Sequence, residues 1–105
     1  MKVRYTPEAT ERFLQVLTDL VAVNPFAADR FARTVERHLS RLAAFPRSGF
    51  RVREFSDLPL REFIVEPYRF FYRVDDARRM VFIVDVWHGA QLPIYPPLTD
   101  VGASR

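Results

Sequence analysis

The chain contains no cysteine, which excludes disulfides, thiolate metal sites and thiol catalysis together. Its three glycines, Gly49, Gly89 and Gly102, stand alone, so no glycine-rich phosphate loop can be built from them. The only histidines, His38 and His88, are too far apart in sequence to suggest a ligand pair, and neither a metal nor a cofactor is expected. No serine sits in a nucleophile-elbow context, and helix-turn-helix and zinc-finger signatures are missing. The longest uninterrupted apolar run, Met80 to Val84, falls far short of the ~20 residues a membrane helix needs. Charged or polar residues interrupt the opening positions, leaving no apolar region of the secretory kind. The expected compartment is therefore the cytoplasm. Lysine is almost absent as well: Lys2 is the single one among 16 cationic side chains, and all the others are arginine.

What is there suits one folded domain. About half of the 105 residues are hydrophobic, enough for one core and too few for two. The net charge of +3 is compatible with an anionic partner but does not require one. Arginine offers a fixed, planar, five-donor charge suited to carboxylates and phosphates, although a GC-rich genome also produces an arginine-only basic set.

Periodicity divides the chain into elements. Residues 2 to 6 alternate and read as a short strand. Thr6-Pro7-Glu8 is a helix start: threonine caps, proline fits the first turn, and glutamate faces the positive end of the dipole. Ala9, Phe13, Val16, Leu17 and Leu20 then form one apolar stripe. Asn24-Pro25 ends this helix near Val23 and starts a second, whose stripe is Ala28, Phe31, Val35, Leu39 and Leu42, ending at Ala44-Phe45-Pro46. So short a link predicts an antiparallel helix hairpin. Residues 46 to 59 read as a long connecting loop. Three strands follow, over 61–66, 68–74 and 80–87, with Pro67 between the first two and the polar turn 75–79 between the last two. The expected fold is α+β: an N-terminal strand, the helix hairpin, then a three-stranded antiparallel meander, with helices on one face of a small sheet. A domain over residues 1–95 and a tail over 96–105 are expected, with the proline-containing stretch from Pro93 extended or frayed.

Several charged residues invite two readings each. His38 lies beside the second stripe and reads first as a boundary histidine packed on the core. Arg30, Arg33, Arg37 and Arg41 share one helix face, either simply solvated or a docking strip for an acidic segment or a phosphate backbone. Arg69 and Arg73 flank Phe71 on one strand face, opposite Tyr68, Phe70, Tyr72 and Val74. That face is either open to solvent or an anion, or paired across the sheet with neighbours such as Glu62 or Asp85. His88, in Trp87-His88-Gly89, falls at the sheet rim, where it could act as acid or base or simply hold a turn made possible by the glycine.

The run from Leu60 through Pro67-Tyr68-Arg69-Phe70-Phe71-Tyr72-Arg73-Val74, continued by Val81 to Val86 and Trp87-His88-Gly89-Ala90, resembles the RelE/ParE superfamily of bacterial type II toxins. The helix hairpin and the Phe45-Pro46…Gly49 connector fit the same pattern, so the resemblance covers about residues 1 to 95. It implies a toxin neutralised by an antitoxin encoded beside it. Members similar to RelE cut mRNA on the ribosome without a metal, whereas members similar to ParE are not nucleases and poison DNA gyrase. Under the nuclease reading, Arg69, Arg73 and His88 would carry catalysis. The arginine that commonly follows His-Gly in RelE-like enzymes is replaced here by Gln91, their lysines are missing, and Tyr95 after Pro93 is the only stand-in for a tail tyrosine. The expectation is therefore a ParE-like inhibitor of gyrase, with the ribosome-dependent endonuclease as the alternative. Arg30, Arg33 and Arg37 are expected to pair with acids of the antitoxin, which could lie over the hairpin or add to a sheet edge.

Overall fold

The computed structural model describes residues 1–89. Gln91, Tyr95, the expected domain boundary at residue 95 and the tail lie outside the described residues. Strand β1 (Lys2–Tyr5) leads into helices α1 (Pro7–Val23) and α2 (Pro25–Ala44), followed by β2 (Phe50–Arg51), a single 3-10 turn at Arg53–Phe55, β3 (Arg61–Val65), β4 (Tyr68–Asp75) and β5 (Met80–His88).

The helix boundaries fall where the capping chemistry puts them. Thr6 accepts a hydrogen bond from the Ala9 N–H at 3.2 Å, and Asn24 Oδ1 accepts from the N–H groups of both Phe26 and Ala27 at 3.1 Å. The Asn24 N–H also donates to the Leu20 carbonyl at 2.8 Å, so one residue closes α1 and opens α2. Those two roles leave no room for a loop, and the helices fold back on each other.

The five strands are ordered β1-β5-β4-β3-β2. The expected meander is β3-β4-β5, antiparallel throughout, and β1 joins it in parallel beside β5, with Lys2 opposite Met80 and Tyr5 opposite Ile83. A parallel neighbour needs a long crossover, which the helix hairpin supplies. On the hairpin side the core contains Phe31, Val35 and Leu42 from α2 against Phe63, Phe70, Tyr72, Val81 and Ile83 from the sheet. Phe63 stacks on Phe70 at 4.7 Å between ring centres, and Phe13 meets Phe70 edge-on at 5.9 Å. Full burial of each such ring is worth about 2 kcal/mol.

Two features differ from the sequence reading. The segment expected to be a connecting loop contains β2 and the 3-10 turn, and its apolar residues Val52, Phe55, Leu58 and Leu60 pack on the sheet face away from the helices, against Phe71, Val84 and Trp87. The sheet is thus covered on both faces. The second is a register shift in β5: Phe71 lies opposite Asp85 but Tyr72 lies opposite Ile83, leaving Val84 as the extra residue of a bulge. Val81, Ile83 and Val86 consequently belong to the hairpin-side core while Val84 and Trp87 belong to the opposite one. A bulge between two buried faces is why this strand reads as a nearly continuous apolar run.

Gly49 brings the chain entering β2 tightly against the sheet. Its N–H donates to the buried Tyr72 hydroxyl at 2.9 Å, and a Cβ there would stand 2.6 Å from both that oxygen and the Glu62 carbonyl oxygen. Gly49→Ala is expected to destabilise the domain by about 2 kcal/mol through this clash with backbone, read as a lower denaturation midpoint in urea. An unchanged midpoint contradicts the tight approach.

Candidate functional site

Sheet alternation puts Arg69 and Phe71 on the face covered by the 52–60 segment, and of the two readings of that face, open or paired across the sheet, the paired one is found. Phe71 is fully buried, and the Arg69 side chain is 15% exposed. Its guanidinium makes two forks: to Glu62 through Nε (2.7 Å) and Nη2 (3.0 Å), and to Glu54 through Nη1 and Nη2 (both 2.9 Å). It also lies 5.0 Å from the centre of the Phe71 ring. Bidentate carboxylate–guanidinium pairs are the strong kind, and here two carboxylates meet one cation. Hydrogen bonds donated to Glu62 and Glu54 raise the Arg69 pKa further above its ordinary value, and Arg69 in turn holds the Glu54 carboxyl below its usual 4.5. Of the two expected partners, Glu62 is the one used. Asp85 instead accepts from the Trp87 indole N–H at 2.9 Å and from the Val86 N–H at 2.8 Å, with the Arg12 guanidinium 3.7 Å away.

Arg73 is four residues further along β4, which at strand rise is ~13 Å from Arg69. It lies over the Phe82 ring at 4.6 Å, with Asp75 at 3.8 Å. His88 ends β5, exposed, directly opposite Tyr68, with the two rings edge-on at 5.4 Å. Arg69 and His88 line one shallow concavity together with Ile64, Glu66, Pro67 and Gly89. Of the three residues grouped by the sequence, two come together and Arg73 stands apart. Gly89 does not supply an unusual backbone angle, since no described glycine has a positive φ. It supplies space: its N–H reaches the Pro67 carbonyl at 2.7 Å, and a Cβ would stand 3.0 Å from that oxygen.

Arg30, Arg33 and Arg37 are all exposed on α2. Arg33 pairs with Asp29 at 2.9 Å, Arg37 donates to the Thr34 hydroxyl at 2.9 Å, and Arg30 has no carboxylate partner among the described residues. His38 stacks on Phe63 at 4.8 Å, the core-packing role, and its pKa is lowered by burial and then by Arg37 and Arg41. Among the described residues, no three His, Asp or Glu side chains are grouped as a metal site would need, and no helix is long and apolar enough to cross a membrane.

Glu54 was not anticipated as a partner of Arg69. The signal lay in the spacing of Val52, Phe55, Leu58 and Leu60, too regular for a solvated loop; a segment packed on the sheet brings its acid with it.

Comparison with known proteins follows the fold. A family model described as the ParE toxin of the type II toxin-antitoxin system, parDE, matches residues 3–93. The solved chromosomal ParDE system of P. aeruginosa contains a similar chain, with a TM-score of 0.64 at 17% identity, covering 84% of this chain and 95% of that one. The toxin–antitoxin complex RelBE2 of Mycobacterium tuberculosis contains another, with a TM-score of 0.57 at 27% identity and coverage of 86% and 92%. No curated protein gives a significant match.

Removing Arg69 strands the buried Glu62 carboxylate beside Phe71. Arg69→Ala is therefore expected to cost about 3 kcal/mol in urea unfolding, and a loss under about 1 kcal/mol, the range of surface pairs, contradicts a buried clamp. The pH dependence has a definite sign. Because the folded-state pKa of Glu54 is depressed, its contribution is complete above the unfolded value near 4.5 and is lost as pH falls through the lower folded value. Glu54→Gln is expected to flatten the acid limb of stability against pH; an identical acid limb contradicts the assignment.

Proposed function

The chain belongs to the ParE toxin family of type II toxin–antitoxin systems, and from that premise we propose that it is a cytoplasmic inhibitor of DNA gyrase, held inactive by an antitoxin encoded beside it. The observation that carries the choice of target is the state of Arg69. Cleavage of RNA through its own 2′-hydroxyl needs a base, an acid for the leaving oxygen, and cations facing the phosphorane. Arg69, the strand arginine that would supply such a charge, is met by Glu54 and Glu62 and covered by the segment that carries Glu54. A phosphate arriving there would have to displace two carboxylates. Gln91 and the missing lysines weigh in the same direction.

One observation favours the endonuclease reading: Arg69 and His88 share a concavity, so an acid–base histidine and a cation would be close if the carboxylates moved aside. The two readings separate in one pair of assays. The purified chain is expected to block supercoiling by gyrase or to trap its cleaved-DNA intermediate, while leaving ribosome-bound mRNA intact. Normal supercoiling together with cut transcripts reverses the assignment, and His88→Ala then tests the role of the histidine.

The exposed arginine face of α2 is proposed to receive acidic residues of the antitoxin. Charge complementarity supports this, since Arg30 has no internal carboxylate partner among the described residues and Arg33 is engaged only by an exposed neighbour one turn away. Replacing Arg30, Arg33 and Arg37 with glutamine is expected to weaken antitoxin binding at least tenfold, mainly through faster dissociation. Unchanged affinity in surface plasmon resonance rules out this face.

A further inference from the structure

At the end of the sheet remote from His88, three arginines surround one cavity. Arg47 from the turn after α2, Arg51 from β2 and Arg61 from β3 line it together with Pro59, Leu60 and Val74. Arg51 and Arg61 are directly opposite each other in the β2–β3 ladder. Like charges at such a position repel, and a fold without use for them would put an acid on one strand. The visible compensation is small. Arg61 donates to the Gly49 carbonyl at 3.0 Å and Arg51 to the Ser56 carbonyl at 3.0 Å, but neither has a carboxylate partner among the described residues. Only Arg47 is ion-paired, with Asp76 at 2.6 Å on an exposed surface. Each guanidinium carries five N–H donors, so most of those on Arg51 and Arg61 remain for a ligand. Places where a sequence breaks a local pairing rule are where function is expected.

Arg47 also lines the adjoining concavity, with Arg41, Phe45 and Ser48. Arg47 thus lines both hollows, and the second also presents a phenylalanine that is 65% exposed. A single carboxylate or inorganic anion fills one hollow. A chain of regularly spaced anions fills both and can lay a base or sugar against Phe45.

We propose that the cavity formed by Arg47, Arg51 and Arg61 is a binding site for the phosphates of a nucleic-acid backbone, by which the toxin grips the DNA strand held by its target enzyme. The identity of that nucleic acid rests on the gyrase reading; the phosphate site does not. An acidic peptide lying in the same cavity is the competing occupant, and poly-glutamate stands for it in the test.

The test is binding of the full-length chain to a fluorescent duplex oligonucleotide, measured by anisotropy across a salt series, with poly-glutamate as a parallel ligand. The duplex is expected to bind with a negative slope of log affinity against log salt. Arg51→Gln/Arg61→Gln is expected to make that slope shallower by about 1.8, the release expected for two phosphate contacts. Arg51→Gln alone, which leaves the Arg61–Gly49 contact intact, should make it shallower by about 0.9, and Arg51→Lys/Arg61→Lys should preserve it. Arg30→Gln/Arg33→Gln, on the helix face, should leave it unchanged. The proposal is overturned if the slope is the same in the Arg51 variants and the wild type, if the duplex fails to bind, or if poly-glutamate binds and the duplex does not. Supercoiling inhibition by the wild-type chain is read separately: its absence defeats the gyrase reading without touching the slopes.

Discussion

One guanidinium ties together three elements of this domain. Arg69 stands on β4, Glu62 beside it on β3, and Glu54 in the 3-10 turn that crosses the outer face of the sheet. The turn brings few apolar contacts of its own, and without an anchor a segment with so small a core would open readily. The double fork fixes its position, and with it the cover over Phe71, Val84 and Trp87. Burial of Phe71 in turn removes water from around the ion pairs and strengthens them. The clamp and the second core support each other.

The same economy is seen in β5. The bulge at Val84 lets one strand feed two cores, and it leaves local polar groups that Asp85 satisfies from within, accepting from the Val86 N–H and the Trp87 indole. Thr6 ties the start of α1 to this place by reaching the Val84 carbonyl at 3.4 Å while capping the helix. Helix, edge strand and bulge therefore meet at one point.

Much of this was legible in the sequence. Thr6-Pro7 and Asn24-Pro25 marked both helix starts because cap and proline chemistry acts locally, and the three meander strands followed from alternation and the polar turn at 75–79. What was not legible depends on contacts distant in sequence. The parallel docking of β1 and the two-residue β2 have no local signature, and the partner role of Glu54 was signalled only by the spacing of four apolar residues, easily read as incidental in a stretch rich in arginine, proline and serine. The candidate site shows the same limit. Alternation correctly placed Arg69 and Arg73 on one face with Phe71, yet whether that face was open or paired depended on a segment folding over it. His88 was placed at the rim because it closes the last apolar run, and its proximity to Arg69 follows from the β4–β5 register rather than from any motif.

The charge of Arg69 is committed inside the fold, to Glu62 and Glu54. A double-mutant cycle on unfolding free energy, using Arg69→Ala, Glu62→Ala and the double variant, measures that commitment most directly. A coupling of about 2 kcal/mol, within the range for groups in one ion-pair network, is the predicted result. A coupling near zero, within about 0.3 kcal/mol, would mean that the two side chains are independent and would contradict that commitment.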